Sequence, residues 1–165
     1  MRELLIYEAN PDIARVIFVA SPHRGSDLAT SPLGKLGRDL MKIPQLATLN
    51  YVPNPEIQGI TPVGREVLLG RPDSIKSLAP NSPGLLAMLK TPIRKGVTIH
   101  SIIGNHKMKP QLQESSDTVV PYWSSHLDVA KSEVIVDATH TTICQDEDAI
   151  REVNRILYLH IGRTP

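Results

Sequence analysis

A chain of 165 residues with a formal net charge of +1 is long enough for one domain with its own core. It is too evenly charged to favour nucleic acid or an anionic membrane as a partner. Aromatic residues make up 4%, which also argues against base-stacking surfaces, and the single cysteine, Cys144, excludes an internal disulfide. No apolar run is long enough to span a bilayer. The opening Met1-Arg2-Glu3-Leu4-Leu5-Ile6-Tyr7-Glu8 lacks a secretory apolar core, so the default expectation is cytoplasmic, unless a longer parent carried a signal.

Residues 1–10 read as a short helical or extended entry, the tail of a larger element that began upstream, and Asn10-Pro11-Asp12 punctuates it. Arg15-Val16-Ile17-Phe18-Val19-Ala20 is an unbroken run suited to a strand buried on both faces of a parallel sheet. Pro22 and Gly25 in Ser21-Pro22-His23-Arg24-Gly25-Ser26 end it in a tight turn. Residues 27–95 carry most of the 14 prolines together with helix-like pieces at Leu33–Met41, Val63–Leu69, Ser74–Leu78 and Leu85–Leu89. Apolar residues recur too often there for disorder, so the segment is expected to be a long helical crossover, serving either as a substrate-binding cap or as plain packing on the sheet. Lys90, Arg94 and Lys95 read as a solvated helix end.

A second strand is expected over Gly96–Gly104, polar loop over 105–118, and a third strand over Ser132–Val136. Asp146 is a plausible N-cap, with Glu147 and Asp148 in the first turn. Ala149, Ile150, Val153, Ile156, Leu157 and His160 follow at helical spacing, and Gly162 stands where a helix C-terminus is commonly closed. The order is that of an α/β domain over 1–165 with three mainly parallel strands, flanking helices and a cap-like crossover at 27–95. Three parallel strands leave an apolar edge, which implies an oligomer or a separate amino-terminal chain to cover it.

The chemistry gathers between Ser115 and His140. Asp117 lies in a polar loop before Val119-Val120, and His140 lies just beyond Val134–Val136. An Asp that orients a His is two-thirds of a relay that activates a nucleophile. Read from the residues alone, Asp117 also suits a turn cap after Ser115-Ser116, and His140 a loop histidine bonded locally. His23 reads as structural, and Trp123 and Tyr122 as packing beside the acid loop. Cys144 stands too close to His140 along the chain for cross-loop chemistry. His100 and His106 lack a third ligand at metal-binding spacing.

Three stretches together resemble the carboxyl-terminal half of a lipase- or esterase-like α/β-hydrolase. They are Arg15–Ser26, the run Ser116-Asp117-Thr118-Val119-Val120-Pro121-Tyr122-Trp123-Ser124-Ser125-His126, and Thr139-His140 with the helix after it. The resemblance implies a partial α/β-hydrolase fold and hydrolysis of a carboxylic ester, of a lipid or similar small molecule, without metal or organic cofactor. It also implies Asp117 as the acid and His140 as the base. The family's nucleophile stands in Gly-x-Ser-x-Gly on a strand-to-helix turn that precedes both. No such pentapeptide occurs here; Ser82 in Asn81-Ser82-Pro83-Gly84 is the nearest imitation, and Ser21 and Ser26 match other positions. The expectation is therefore a fragment or shortened homologue that supplies Asp and His. The alternative is a non-catalytic or truncated module, on its own or complemented by an upstream chain.

Overall fold

The computed structural model describes residues 9–29 and 77–163. The chain divides into two compact units, one of Met1–Ser21 with Pro92–Pro165 and the other of Pro22–Thr91. Two of the expected crossover helices, Leu33–Met41 and Val63–Leu69, and residues 74–76 of a third lie outside the described residues.

The first unit is built on three strands, β1 (Arg15–Val19), β2 (Thr98–Gly104) and β3 (Ser132–Val136). They form an open sheet in the order β1-β2-β3, parallel at both pairings. The register sets Ile17 beside His100 and His100 beside Ser132, then Val19 beside Ile102 and Ile102 beside Val134. Because side chains alternate faces along a strand, these residues share one side of the sheet. There Ile102, Val136, Ala138 and Ile143 pack with Ala149 and Val153 of the terminal helix, forming the core. The central strand β2 is buried along nearly its whole length, as its β-branched composition demands.

The terminal helix spans Glu147–His160, as the sequence predicts. The Asp146 carboxylate caps it, Oδ1 accepting from the backbone N–H of Asp148 at 3.0 Å and of Ala149 at 2.9 Å. It ends at Gly162, whose φ of +70° suits the residue without a Cβ. The buried stripe is narrower than the apolar spacing predicts. Ala149, Glu152 and Ile156 are buried, whereas Ile150 and Leu157 are exposed, because the sheet offers only three strands to cover.

The opposite face of the sheet carries a four-residue helix, Tyr122–Ser125, which the sequence did not announce. The Ser101 hydroxyl of β2 reaches the Ser125 carbonyl at 3.3 Å across that layer. A 3-10 turn at Leu112–Glu114 interrupts the expected loop 105–118. Arg94 is not merely solvated: its guanidinium donates to the carbonyls of Pro11 at 3.0 Å and Ile13 at 2.7 Å, tying down the approach to β1.

In the second unit a helix spans Pro83–Leu89, with Ser82 at its N-cap position and Pro83 in its first turn. Gly25, at φ +87°, has no room for a Cβ, which would meet the Leu78 carbonyl oxygen at 2.6 Å. Ser26 N–H donates to that same carbonyl at 2.9 Å. With elements labelled in chain order, Pro83–Leu89 is α1, Tyr122–Ser125 is α2 and Glu147–His160 is α3.

Candidate functional site

Parallel strands deliver their outgoing loops to one end of the sheet, and ligands of open α/β sheets bind beyond that carboxyl end. The loops after β2 and β3 therefore emerge side by side. Asn105 follows β2 fully buried, and its side chain brackets the turn by accepting from Lys109 N–H at 2.9 Å and donating to Lys109 carbonyl at 3.0 Å. His106 N–H donates to Ser116 carbonyl at 3.0 Å, which brings the acid loop back over the strand end.

That acid loop is a tight turn closed by a bridge between Ser116 and Pro121. Thr118 sits at φ +84°, a strained conformation for a β-branched residue. The Asp117 carboxylate holds the turn together. Its Oδ1 accepts from Val119 N–H at 2.9 Å and from Val120 N–H at 2.6 Å. Its Oδ2 accepts from His140 Nδ1 at 2.7 Å, and its backbone carbonyl accepts His140 N–H, also at 2.7 Å. A carboxylate only accepts, so Nδ1 carries the ring proton and Nε2 is left as a base.

His140 is anchored by the turn that follows. Thr139 carbonyl accepts from the N–H groups of Thr142 and Ile143, and the Thr139 hydroxyl bonds those of Thr141 and Thr142. Asp117 is 1% exposed, while the His140 side chain keeps 38% of its surface open. A buried acid that fixes the tautomer, and an open ring that can exchange a proton, are what a general base requires. Thus both residues picked out by the sequence meet within hydrogen-bond distance.

The nucleophile does not appear beside them. Among the described residues no serine or cysteine is hydrogen-bonded to His140 Nε2. Ser82 stands at the N-cap position of α1 in the second unit, without a side-chain cap bond, and follows no strand. Ser21 bonds back to the Val19 carbonyl, and Ser26 is buried with its hydroxyl accepting from Leu28 N–H. Cys144 is exposed and makes no bond to His140. His23 belongs to the second unit, where burial and then the Arg24 charge hold its pKa below the ordinary imidazole value.

Two further polar clusters went unremarked in the sequence. One crosses the sheet face under α3. Arg15 Nη1 donates to His100 Nε2 at 2.5 Å, and His100 Nδ1 donates to Ser132 Oγ at 2.7 Å. Ser132 in turn donates to Glu152 Oε1 at 3.0 Å, and Arg155 grips both Glu152 oxygens, at 2.6 and 2.7 Å. Burial, reinforced by Arg15 and Arg155 against Glu152, holds the His100 pKa below its ordinary value. Arg155's hydrogen bonds, above all, lower that of Glu152. The bond from Arg15 already occupies His100 Nε2, so a ligand role for that nitrogen would require displacing a cation. Among the described residues no three His, Cys, Asp or Glu side chains are grouped as metal ligands.

The other cluster lies on the α2 face. Tyr122 hydroxyl donates to Glu133 Oε1 at 2.9 Å, and His126 Nδ1 meets Glu133 Oε2 at 2.7 Å. The Tyr122 and His126 rings stack with centroids 5.2 Å apart, and His126 Nε2 reaches Asp128 at 3.2 Å. Glu133's hydrogen bond chiefly raises the His126 pKa, and burial, then Glu133, pushes the Tyr122 phenol up to about 12. Only the alternation Glu133-Val134-Ile135, which puts an acid on a face of β3, hinted at this group.

No protein-family model, curated protein or solved structure matches this chain. Among the described residues no helix is long and apolar enough to cross a membrane.

Proposed function

We propose that this chain carries the acid and the base of a serine-type hydrolase acting on carboxylic esters, in a partial α/β-hydrolase fold. The supporting observation is the 2.7 Å bond between His140 Nδ1 and the buried Asp117 carboxylate, on loops at the carboxyl ends of adjacent parallel strands. In this reading His140 Nε2 takes the proton from a serine hydroxyl as its oxygen attacks the ester carbonyl. The imidazolium, stabilised by Asp117, returns that proton to the alcohol oxygen as the C–O bond breaks. Water then repeats the sequence on the acyl-enzyme and releases the acid. No cofactor enters these steps. A small-molecule or lipid ester is the substrate class that the resemblance implies.

A second reading has a specific observation in its favour. Ile150, Leu157, Tyr158 and Ile161 are exposed along one side of α3. Ile150 also lines an apolar cleft of about 210 Å³ with Val19, Ile102, Ile143 and Val153. Contiguous apolar surface of this kind marks a protein interface. Here the chain is a module that gains a nucleophile only with a complementing chain, or remains non-catalytic.

Labelling with a fluorophosphonate probe, read by intact mass and peptide mapping, separates the two. One serine adduct that disappears in His140→Ala places the whole relay in this chain. No adduct on the folded protein, with labelling restored by a complementing chain, supports the second reading. Normal labelling in His140→Ala overturns the assignment of the base.

A further inference from the structure

We propose that Glu133 is a positioning residue for the acid loop, acting through Tyr122 and His126 to hold Asp117 against His140. The inference rests on the Asp117–His140 relay proposed above and concerns how that relay is kept in register.

The Asp117 turn is costly to maintain. Thr118 at φ +84° disfavours it, and such strain persists only where the surroundings over-determine the conformation. Within the turn, Ser116 hydroxyl and Asp117 N–H both donate to the Val120 carbonyl, at 3.1 and 3.3 Å. The exit of the turn must also be fixed, and the exit is α2. Pro121 follows Val120 directly, and Tyr122 N–H donates back to the Ser115 carbonyl at 2.9 Å, closing the base of the loop. A rotation of Tyr122 is therefore felt two residues away at Val120, whose N–H is the shortest bond to the Asp117 carboxylate.

α2 is tied to β2 through the Ser101 hydroxyl and to β3 through Glu133. Both Glu133 oxygens are engaged, one by the Tyr122 hydroxyl and one by His126, which stand at the two ends of the helix. His126 N–H also donates to the Tyr122 carbonyl at 2.9 Å, and the two rings stack. A carboxylate that accepts from a phenol and an imidazole at once makes charge-assisted bonds, stronger than neutral ones. A four-residue helix has little stability of its own, so this fork supplies what helix propensity does not. The strand that delivers His140 thus also bonds, through Glu133, to the helix that follows the Asp117 turn.

The test is proton NMR of the full chain, observing the low-field Nδ1–H signal of His140, assigned by its loss in His140→Gln. Thermal unfolding is measured in parallel. Tyr122→Phe removes only the hydroxyl bonded to Glu133 and keeps the stack; Glu133→Gln removes the charge and keeps the shape. Both are expected to shift the signal upfield or broaden it away, in protein that still unfolds cooperatively. If both variants lose thermal stability while the signal stays in place, Glu133 is merely structural and the proposal is overturned. Asp117→Asn keeps the two readings apart. A signal that survives Asp117→Asn means the relay itself is absent; a signal abolished there but untouched by Tyr122→Phe and Glu133→Gln means that only the positioning role fails.

Discussion

Gly104 lies directly beneath Asp117: a Cβ at position 104 would stand 2.5 Å from the Asp117 Cβ and 2.8 Å from the Ala138 carbonyl oxygen. The last residue of β2 thereby sets how closely the acid loop and the loop carrying His140 approach each other. Both obstacles are part of, or fixed to, the backbone, so neither can swing aside. Gly104→Ala is expected to cost about 1–3 kcal/mol in urea unfolding, as overpacking does. It should also lengthen the bond from His140 to Asp117. Unchanged stability together with an unchanged His140 Nδ1–H signal would contradict this packing.

Asp117 serves the loop and the histidine with different oxygens, so substitutions should separate the two tasks. Asp117→Asn retains an oxygen for the Val119 and Val120 N–H groups but sets an amide against His140. If the chain contributes its acid and base to ester hydrolysis as proposed, this substitution should lower kcat by on the order of a thousandfold or more. Asp117→Ala abandons both tasks and should also unfold more easily, by about 2 kcal/mol or more, because buried donors lose a charged acceptor. Turnover assays and chemical unfolding, run on the same two variants, distinguish these effects.

Much of the first unit was legible in the sequence for a simple reason. The strands Arg15–Val19, Thr98–Gly104 and Ser132–Val136 are rich in valine or isoleucine, and α3 opens with an acid cap and closes at glycine. His140 stood out because it lies just beyond Val134–Val136, and Asp117 because it stands in a polar loop before Val119-Val120 and matches the acid of the family the chain resembles. The clusters around His100 and Glu133 were not legible. Arg15 and His100 stand 85 residues apart and meet through the strand register, whereas Tyr122, His126 and Glu133 lie close along the chain but on a short helix and a strand with no shared period. Helix α2 escaped because four residues show no period.

The two buffered histidines predict opposite pH dependences. His100 has a lowered pKa in the folded state, so its contribution is fully present above the unfolded value of about 6.5 and fades as pH falls through the folded value. His126 has a raised pKa, so its contribution is full below about 6.5 and is lost as pH rises through the folded value. His100→Gln should therefore flatten the acid side of a stability profile, and His126→Gln the neutral-to-alkaline side. Urea midpoints measured from about pH 5 to about pH 8 would reveal it. The same slope change from both variants would be incompatible with this arrangement.

At α3, Asp146→Ala removes the acceptor for two N–H groups in the first turn. The expected loss is about 1 kcal/mol, and Asp146→Asn should recover most of it. Equal midpoints for the Ala variant and the parent chain in thermal unfolding would show that the cap carries no weight.

The order of the strands has a consequence for how the molecule assembles. β2 and β3 meet across a separation of 32 residues at His100 and Ser132, whereas Arg15 of β1 reaches His100 across 85. Closing the longer loop costs about 0.9 kcal/mol more in chain entropy. The stretch from β2 through α3, which contains Asp117, Glu133 and His140, is thus favoured to fold as a nucleus, with β1 joining afterwards. Pulsed hydrogen exchange during refolding should then protect the amides of Asn105 and Lys131, which donate to the Val136 and Ile99 carbonyls across the β2–β3 pair, before those of Val16 and Phe18. On that view the acid and the base are in place before the sheet acquires its first strand.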